Sequence, residues 1–174
     1  MRFVRVILLA LAFVSVAAPA AAQEETLPKL SVMAGYNFLK DPSWESNLKF
    51  GWVVAVSQKV AERLSIVAEG SGSYGKITAT PFKVERYGIL GGLKIQGGGD
   101  GPRVFVQFLT GLSRQAGDPG IQNGFIFQPG GGVDIRFTER VSIRGFGDYR
   151  MLREDGVLWH QYRIGGGILI KLRN

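Results

Sequence analysis

Residues 70–75, Gly-Ser-Gly-Ser-Tyr-Gly, have the G-x-G-x-x-G spacing with which dinucleotide-binding loops cradle a pyrophosphate. In such a loop the glycines open a helix, and an acidic residue that binds the ribose follows about twenty positions later. Here the motif lies within an alternating apolar and polar segment, and the acidic residue is missing. The motif therefore predicts a glycine-rich strand, and we expect no cofactor.

His160 is the single histidine of the chain. One imidazole cannot build a His-rich metal site, and a Ser-His-acid triad requires partners that the sequence does not place beside it. We therefore expect no metal site and no catalytic residue. His160 is interpreted instead as part of an aromatic belt at a membrane surface, where amphipathic rings are enriched. The other members of the predicted belt are Tyr36, Trp44, Trp52, Tyr74, Tyr149, Trp159 and Tyr162.

Charged side chains alternate with apolar ones between residues 124 and 150. Two alternating runs meet at a polar turn, residues 138–140, which predicts a β-hairpin. In this hairpin Asp134 lies opposite Arg144 on the polar face, where a pair of opposite charges is favourable. The other face carries only apolar and aromatic residues. Charge at this density on one face and hydrocarbon on the other is typical of a small membrane barrel.

The first residues carry the signals of secretion. Two arginines are followed by an apolar run at residues 6–16 and by the small residues Ala-Ala-Ala at 20–22. This order predicts a secretory signal peptide at residues 1–22, because the apolar run is too short to span a bilayer as a helix. Residues 23–174 then form one domain, which has no cysteine for a disulfide framework.

The mature chain contains eight alternating segments, each close to the nine to eleven tilted residues that cross hydrocarbon. The sequence therefore predicts an all-β fold, an eight-stranded antiparallel up-and-down transmembrane β-barrel. We expect longer connections after the odd-numbered strands, which would place both termini in the periplasm. The predicted strands cover residues 30–38, 48–57, 63–74, 84–96, 103–114, 124–137, 141–150 and 159–172, and the longer connections cover 39–47, 75–83, 115–123 and 152–158.

The alternation directs several charged side chains into the narrow lumen, where an isolated ion costs several kcal/mol. Asp148 is expected opposite Arg163, and Glu69 is expected to reach across the lumen to Arg144. We therefore predict one connected lumen charge network. Its members are Glu69, Asp134, Arg144, Asp148 and Arg163.

The segments GGGVDIRFTERVSIRGFGDYR at 130–150 and YRIGGGILIKL at 162–172 resemble eight-stranded outer-membrane β-barrel proteins of the OmpA-like and opacity-protein type. The resemblance implies a structural envelope role or a narrow porin-like role in the bacterial outer membrane. It also implies a monomer whose partners are outer-membrane lipids, lipopolysaccharide and the outer-membrane assembly machinery. One departure is the C-terminal strand, which ends in Ile-Lys-Leu-Arg-Asn without the usual terminal aromatic residue.

Basic residues are spread along the chain, whose formal net charge is +7, and no stripe of them predicts binding to nucleic acid. Five of them lie near the predicted outer rim and could neutralise lipopolysaccharide phosphates. These are Lys40, Lys76, Lys83, Arg114 and Arg153.

Two other functions stay open at this point. Lipid A deacylases and palmitoyltransferases resemble this chain in being eight-stranded barrels with a histidine near the rim, so a rim-sited lipid A-modifying enzyme is the first alternative. The deacylase pattern of His followed two residues later by Ser is here His160-Gln161-Tyr162. A secreted soluble β-barrel that binds a small apolar ligand is the second, and it would need an apolar lumen.

Overall fold

The computed structural model describes residues 30–42, 46–76, 83–98, 101–117 and 120–172. Within these ranges there is no helix long and apolar enough to cross a membrane. The strands are β1 Leu30–Asp41, β2 Ser46–Lys59, β3 Leu64–Lys76, β4 Lys83–Gly97, β5 Arg103–Gly117, β6 Gly120–Arg136, β7 Val141–Glu154 and β8 Val157–Lys171.

The eight strands form a closed antiparallel barrel in which every strand pairs with its neighbours in the sequence. Closure occurs between β1 and β8, whose register runs from Ser31 opposite Lys171 to Lys40 opposite Tyr162. A closed barrel has no unpaired strand edge, so all strands of an apolar sheet are protected from pairing with other chains. The predicted fold is therefore confirmed.

The strands are longer than the sequence suggested, with 12 residues in β1 and 17 in β6. The loops predicted at 115–123 and 152–158 are wrong, because β5 continues to Gly117, β6 starts at Gly120, and β7 and β8 are joined by two residues. Those two residues, Asp155 and Gly156, both have positive φ, as a tight hairpin turn requires. Loop length therefore does not identify the outer end, and the periplasmic placement of the termini stays a prediction.

The outer wall of the barrel is apolar along its whole circumference. Side chains alternate between this wall and the lumen as predicted, so Val106 is exposed and Gln107 is buried on β5. Leu48 is an exception, because the register shifts between β1 and β2 and between β2 and β3 turn it inward. The wall is formed by Tyr36, Phe50, Trp52, Val54, Ile66, Ile89, Leu93, Ile95, Val104, Val106, Phe108, Leu112, Phe125, Phe127, Val133, Ile135, Ile143, Tyr162, Ile164, Ile168 and Ile170.

Glycines on the inward face serve two purposes. A Cβ atom at Gly111 would overlap the carbonyl oxygen of Ile89, so this glycine lets β4 and β5 approach each other closely. A Cβ atom at Gly130 would overlap the Asp148 carboxylate, so that glycine makes room for a buried charge. The sequence predicted only the second purpose. The first follows from the curvature of a small barrel, which brings backbones together on the inner face.

Candidate functional site

Arg163 lies at the centre of a charged cluster in the lumen. Its side chain on β8 is 1% exposed, and it donates to Glu69 on β3 over 2.7 and 3.0 Å. The same guanidinium donates from Nε to Asp148 Oδ2 on β7 over 2.8 Å. One buried cation thus bridges two buried carboxylates from different sides of the barrel, and the charge-assisted hydrogen bonds compensate all three charged groups.

Arg150 is a member of this cluster that the sequence did not identify. Its Nη2 atom donates to Ser71 Oγ over 2.9 Å and lies 3.7 Å from Glu69 Oε1, and its Nε donates to Gln128 Oε1 over 2.5 Å. The alternation places Arg150 inward, but it gives no information on which strand across the lumen carries its partner. The central cluster, defined as Glu69, Ser71, Gln128, Asp148, Arg150 and Arg163, therefore joins β3, β6, β7 and β8.

Asp134 and Arg144 form a second cluster. Arg144 Nε and Nη2 donate to the two oxygens of Asp134 over 2.6 and 2.8 Å. The guanidinium also lies over the ring of Phe105, 4.3 Å from its centroid. The described ion pairs include none between Glu69 and Arg144, so the five residues do not form the single network that we expected. Phe146 occupies the inward position of β7 between Arg144 and Asp148, and its bulk separates the two clusters.

A third polar group lies at the end of the barrel away from Leu30 and Leu172, the first and last described residues. Arg86 Nη1 lies 3.4 Å from Asp41 Oδ2, and Gln161 Nε2 donates to the same oxygen over 2.7 Å. Arg86 also donates to Gln115. Among the described residues the buried atoms Arg86 Nε and Gln161 Oε1 have no hydrogen-bond partner. This group was not predicted from the sequence, because Asp41 and Gln115 lie in segments that were predicted to be loops.

The cations expected at the rim all come from strand ends at that same end of the barrel. Lys40 and Arg153 are exposed, and Arg114 is half-buried. Lys76 and Lys83 face each other in the register of β3 and β4, but their side chains lie outside the described part of the structure.

His160 contacts Tyr149 on the outer surface. Its Nδ1 atom lies 2.5 Å from the hydroxyl oxygen of Tyr149, and the two rings stack with centroids 5.8 Å apart. A second aromatic group extends from β1 to β4. Phe50 contacts both Tyr36 and Tyr74, and Tyr74 contacts Tyr87 on β4. The placement of Trp159 in the belt is wrong, because its position is in phase with the inward residues of β8 and its ring packs against the buried core. Trp44 lies outside the described residues.

Comparison with known proteins relates the chain to outer-membrane barrels through its fold. No protein-family model and no curated protein sequence matches it. The Neisserial surface protein A (NspA) has a TM-score of 0.67 at 12% identity, over 83% of this chain and 97% of that one. A major outer-membrane protein of Thermus thermophilus has a TM-score of 0.57 at 13% identity, over 83% and 99%.

The N-terminal β-barrel domain of Pseudomonas aeruginosa OprF has a TM-score of 0.54 at 14% identity, over 84% of this chain and 100% of that domain. At these identities the similarity establishes the fold alone. It confirms that the chain has the fold of the eight-stranded outer-membrane barrels that its sequence resembles.

Proposed function

We propose that the protein is an outer-membrane β-barrel with a structural role in the envelope, and that its own side chains close the lumen. The observation that supports this most directly is the inverted polarity of the barrel. Leu112 on the outer wall is 68% exposed, whereas Arg163 in the lumen is buried. A soluble barrel needs the opposite arrangement, because an apolar surface of this extent is avoided in water.

The closed lumen favours a structural role over a diffusion pore. Eight strands enclose a space that side chains just fill. Here Gln128, Arg150 and Arg163 are all almost inaccessible to solvent, and Leu109 and Ile126 pack in the same interior. We therefore propose the structural role and not the narrow porin-like role that the sequence also allowed.

The same features weigh against the two alternatives. The interior charges disfavour a small apolar ligand, because burying them against hydrocarbon would leave ions without solvation. The described contacts of His160 are a hydrogen bond and ring stacking with Tyr149 on the outer surface, as in an interfacial aromatic belt. We therefore assign no catalytic role to His160.

The partners that we propose for the barrel are inferred from its exposed cations and its closed sheet. Lys40 and Arg153 are exposed at the end of the barrel away from Leu30 and Leu172, which supports their proposed contact with lipopolysaccharide phosphates. Arg114, Lys76 and Lys83 come from the same end and complete this proposed set. A closed sheet needs no second copy to protect its edges, so we propose a monomer that the outer-membrane assembly machinery inserts.

Purified protein reconstituted in a planar lipid bilayer is expected to show no steady conductance, because the central cluster fills the lumen. The variant Arg150→Ser should conduct measurably, since it removes the guanidinium that joins Gln128 to Ser71 and leaves Glu69 paired with Arg163. Arg153→Ser removes an exposed arginine of the same strand and serves as the control. Stable openings of the unmodified protein would contradict the structural role and favour a pore.

A further inference from the structure

A cavity of about 620 Å³ opens at the end of the barrel where β1 begins and β8 ends. We call this cavity the vestibule. Cationic side chains predominate in its wall, where the described residues supply six cations and three carboxylates. The cations are Lys59, Arg63, Lys94, Arg103, Arg136 and Lys171, and the carboxylates are Glu62, Asp134 and Glu139.

One of the three carboxylates is already engaged. Asp134 accepts two hydrogen bonds from Arg144, which does not line the vestibule, and a third from Gln96 Nε2 over 2.7 Å. Even with Lys171 left aside, the described wall has five cations and only Glu62 and Glu139 to balance them. A concave wall with an excess of one charge concentrates ions of the opposite charge.

Lys94 is a buried cation in the wall of the vestibule. It is only 3% exposed, its ammonium donates to Ser57 Oγ over 3.2 Å, and it lies 5.9 Å from the centroid of the Phe105 ring. The ion pairs of the described residues include none for Lys94. Asp134 of the same wall attracts the ammonium without a described ion pair, and of the three donors of the ammonium only one has a described hydrogen-bond partner. The geometry thus leaves donor capacity on a buried cation that lines a polar cavity.

Serine hydroxyls line the same cavity. Ser57, Ser65 and Ser142 are buried, and Ser31 Oγ lies 3.3 Å from Ser57 Oγ. Hydroxyl donors around an ammonium, with arginines at the rim, form a donor set suited to a compact anion that has several acceptor oxygens. We propose that the vestibule binds a phosphate-type oxyanion, either as a soluble phosphate or as the phosphate of a lipid headgroup. This binding goes beyond the structural role proposed above.

The proposal is tested by titrating pyrophosphate into the full chain folded in non-ionic detergent, with heat as the readout and ionic strength held constant by sodium chloride. We expect saturable binding at one site. Lys94→Met should weaken it about tenfold or more, as expected for loss of one hydrogen bond to a charged group. Lys49→Met removes an exposed lysine near the opposite end and should leave the affinity unchanged.

A rim variant, Arg103→Gln with Arg136→Gln, provides an independent test if Lys94→Met fails to fold, and it should also weaken binding. Absence of saturable binding, or equal affinity in wild type and the rim variant, would overturn the proposal. The source of the phosphate is distinguished in nanodiscs of phosphatidylcholine with and without phosphatidylglycerol. Weaker pyrophosphate binding with phosphatidylglycerol supports a headgroup as the occupant, and unchanged binding supports a soluble phosphate.

Discussion

Arg163→Ala is expected to destabilise the barrel by about 3 to 5 kcal/mol, because it leaves two buried carboxylates without their main cation. Glu69 and Asp148 both accept hydrogen bonds from Arg163, and Arg150 lies 3.7 Å from Glu69. Arg150 cannot compensate both carboxylates while it is held by Gln128 and Ser71. The measurement is urea unfolding of the protein in lipid vesicles, followed by tryptophan fluorescence.

A double-mutant cycle separates the ion pair from general loss of packing. Asp148→Ala alone removes one carboxylate, and the double variant Asp148→Ala with Arg163→Ala should lose much less than the sum of the two single changes. Arg153→Ala, an exposed residue of the same hairpin, is the matched control and should change stability by about 0 to 1 kcal/mol. Additive losses below 1 kcal/mol for the two lumen residues would show that they are hydrated and independent.

Gly111→Ala is expected to destabilise the barrel by about 1 to 3 kcal/mol, because overpacking forces the neighbouring backbone to move. A Cβ atom at this position would overlap the carbonyl oxygen of Ile89 on the adjacent strand, and its next contact, the Cα atom of Leu90, is at 2.7 Å. Backbone atoms of a closed sheet cannot move aside as the end of a flexible side chain can. The same urea unfolding experiment measures the loss.

Gly145→Ala is the control for this change, because a Cβ atom there meets nothing within 4 Å. It should be neutral or slightly stabilising, since glycine within a strand carries an entropic cost of about 0.5 to 1 kcal/mol relative to alanine. Equal effects of Gly111→Ala and Gly145→Ala would mean that β4 and β5 do not approach each other as closely as the structure has them.

The strand phase was predictable from the sequence because a strand has a period of two. That period, together with the hairpin turn after Arg136, was sufficient to place Asp134 opposite Arg144. Contacts across the lumen were not predictable in the same way. Whether Glu69 meets Arg144 or Arg163 depends on strand tilt and stagger around the barrel, which no single hairpin determines.

Other differences between the predicted and the observed strands have local causes that the alternation of side chains does not reveal. The irregular register near Leu48 inverts its direction, because a bulge adds a residue to one strand only. The hairpin at Asp155 and Gly156 was assigned to a longer loop although Asp-Gly is a strong two-residue turn signal. The vestibule could not be predicted from the sequence, because its cations come from five of the eight strands and from one connection and meet only in the folded barrel.

In a membrane-spanning barrel with a closed lumen, one face of each strand contacts lipid and the other face is inaccessible from the bilayer. The chain has no cysteine, so a spin label can be attached to a single introduced cysteine on β5 without other changes. The four variants are Val106→Cys, Gln107→Cys, Leu112→Cys and Ser113→Cys. Collision of each label with oxygen dissolved in the bilayer should be frequent at Val106 and Leu112 and rare at Gln107 and Ser113. Equal collision rates at all four positions, or frequent collisions at Gln107 and Ser113 with rare ones at Val106 and Leu112, would contradict a membrane-spanning barrel with a charged interior.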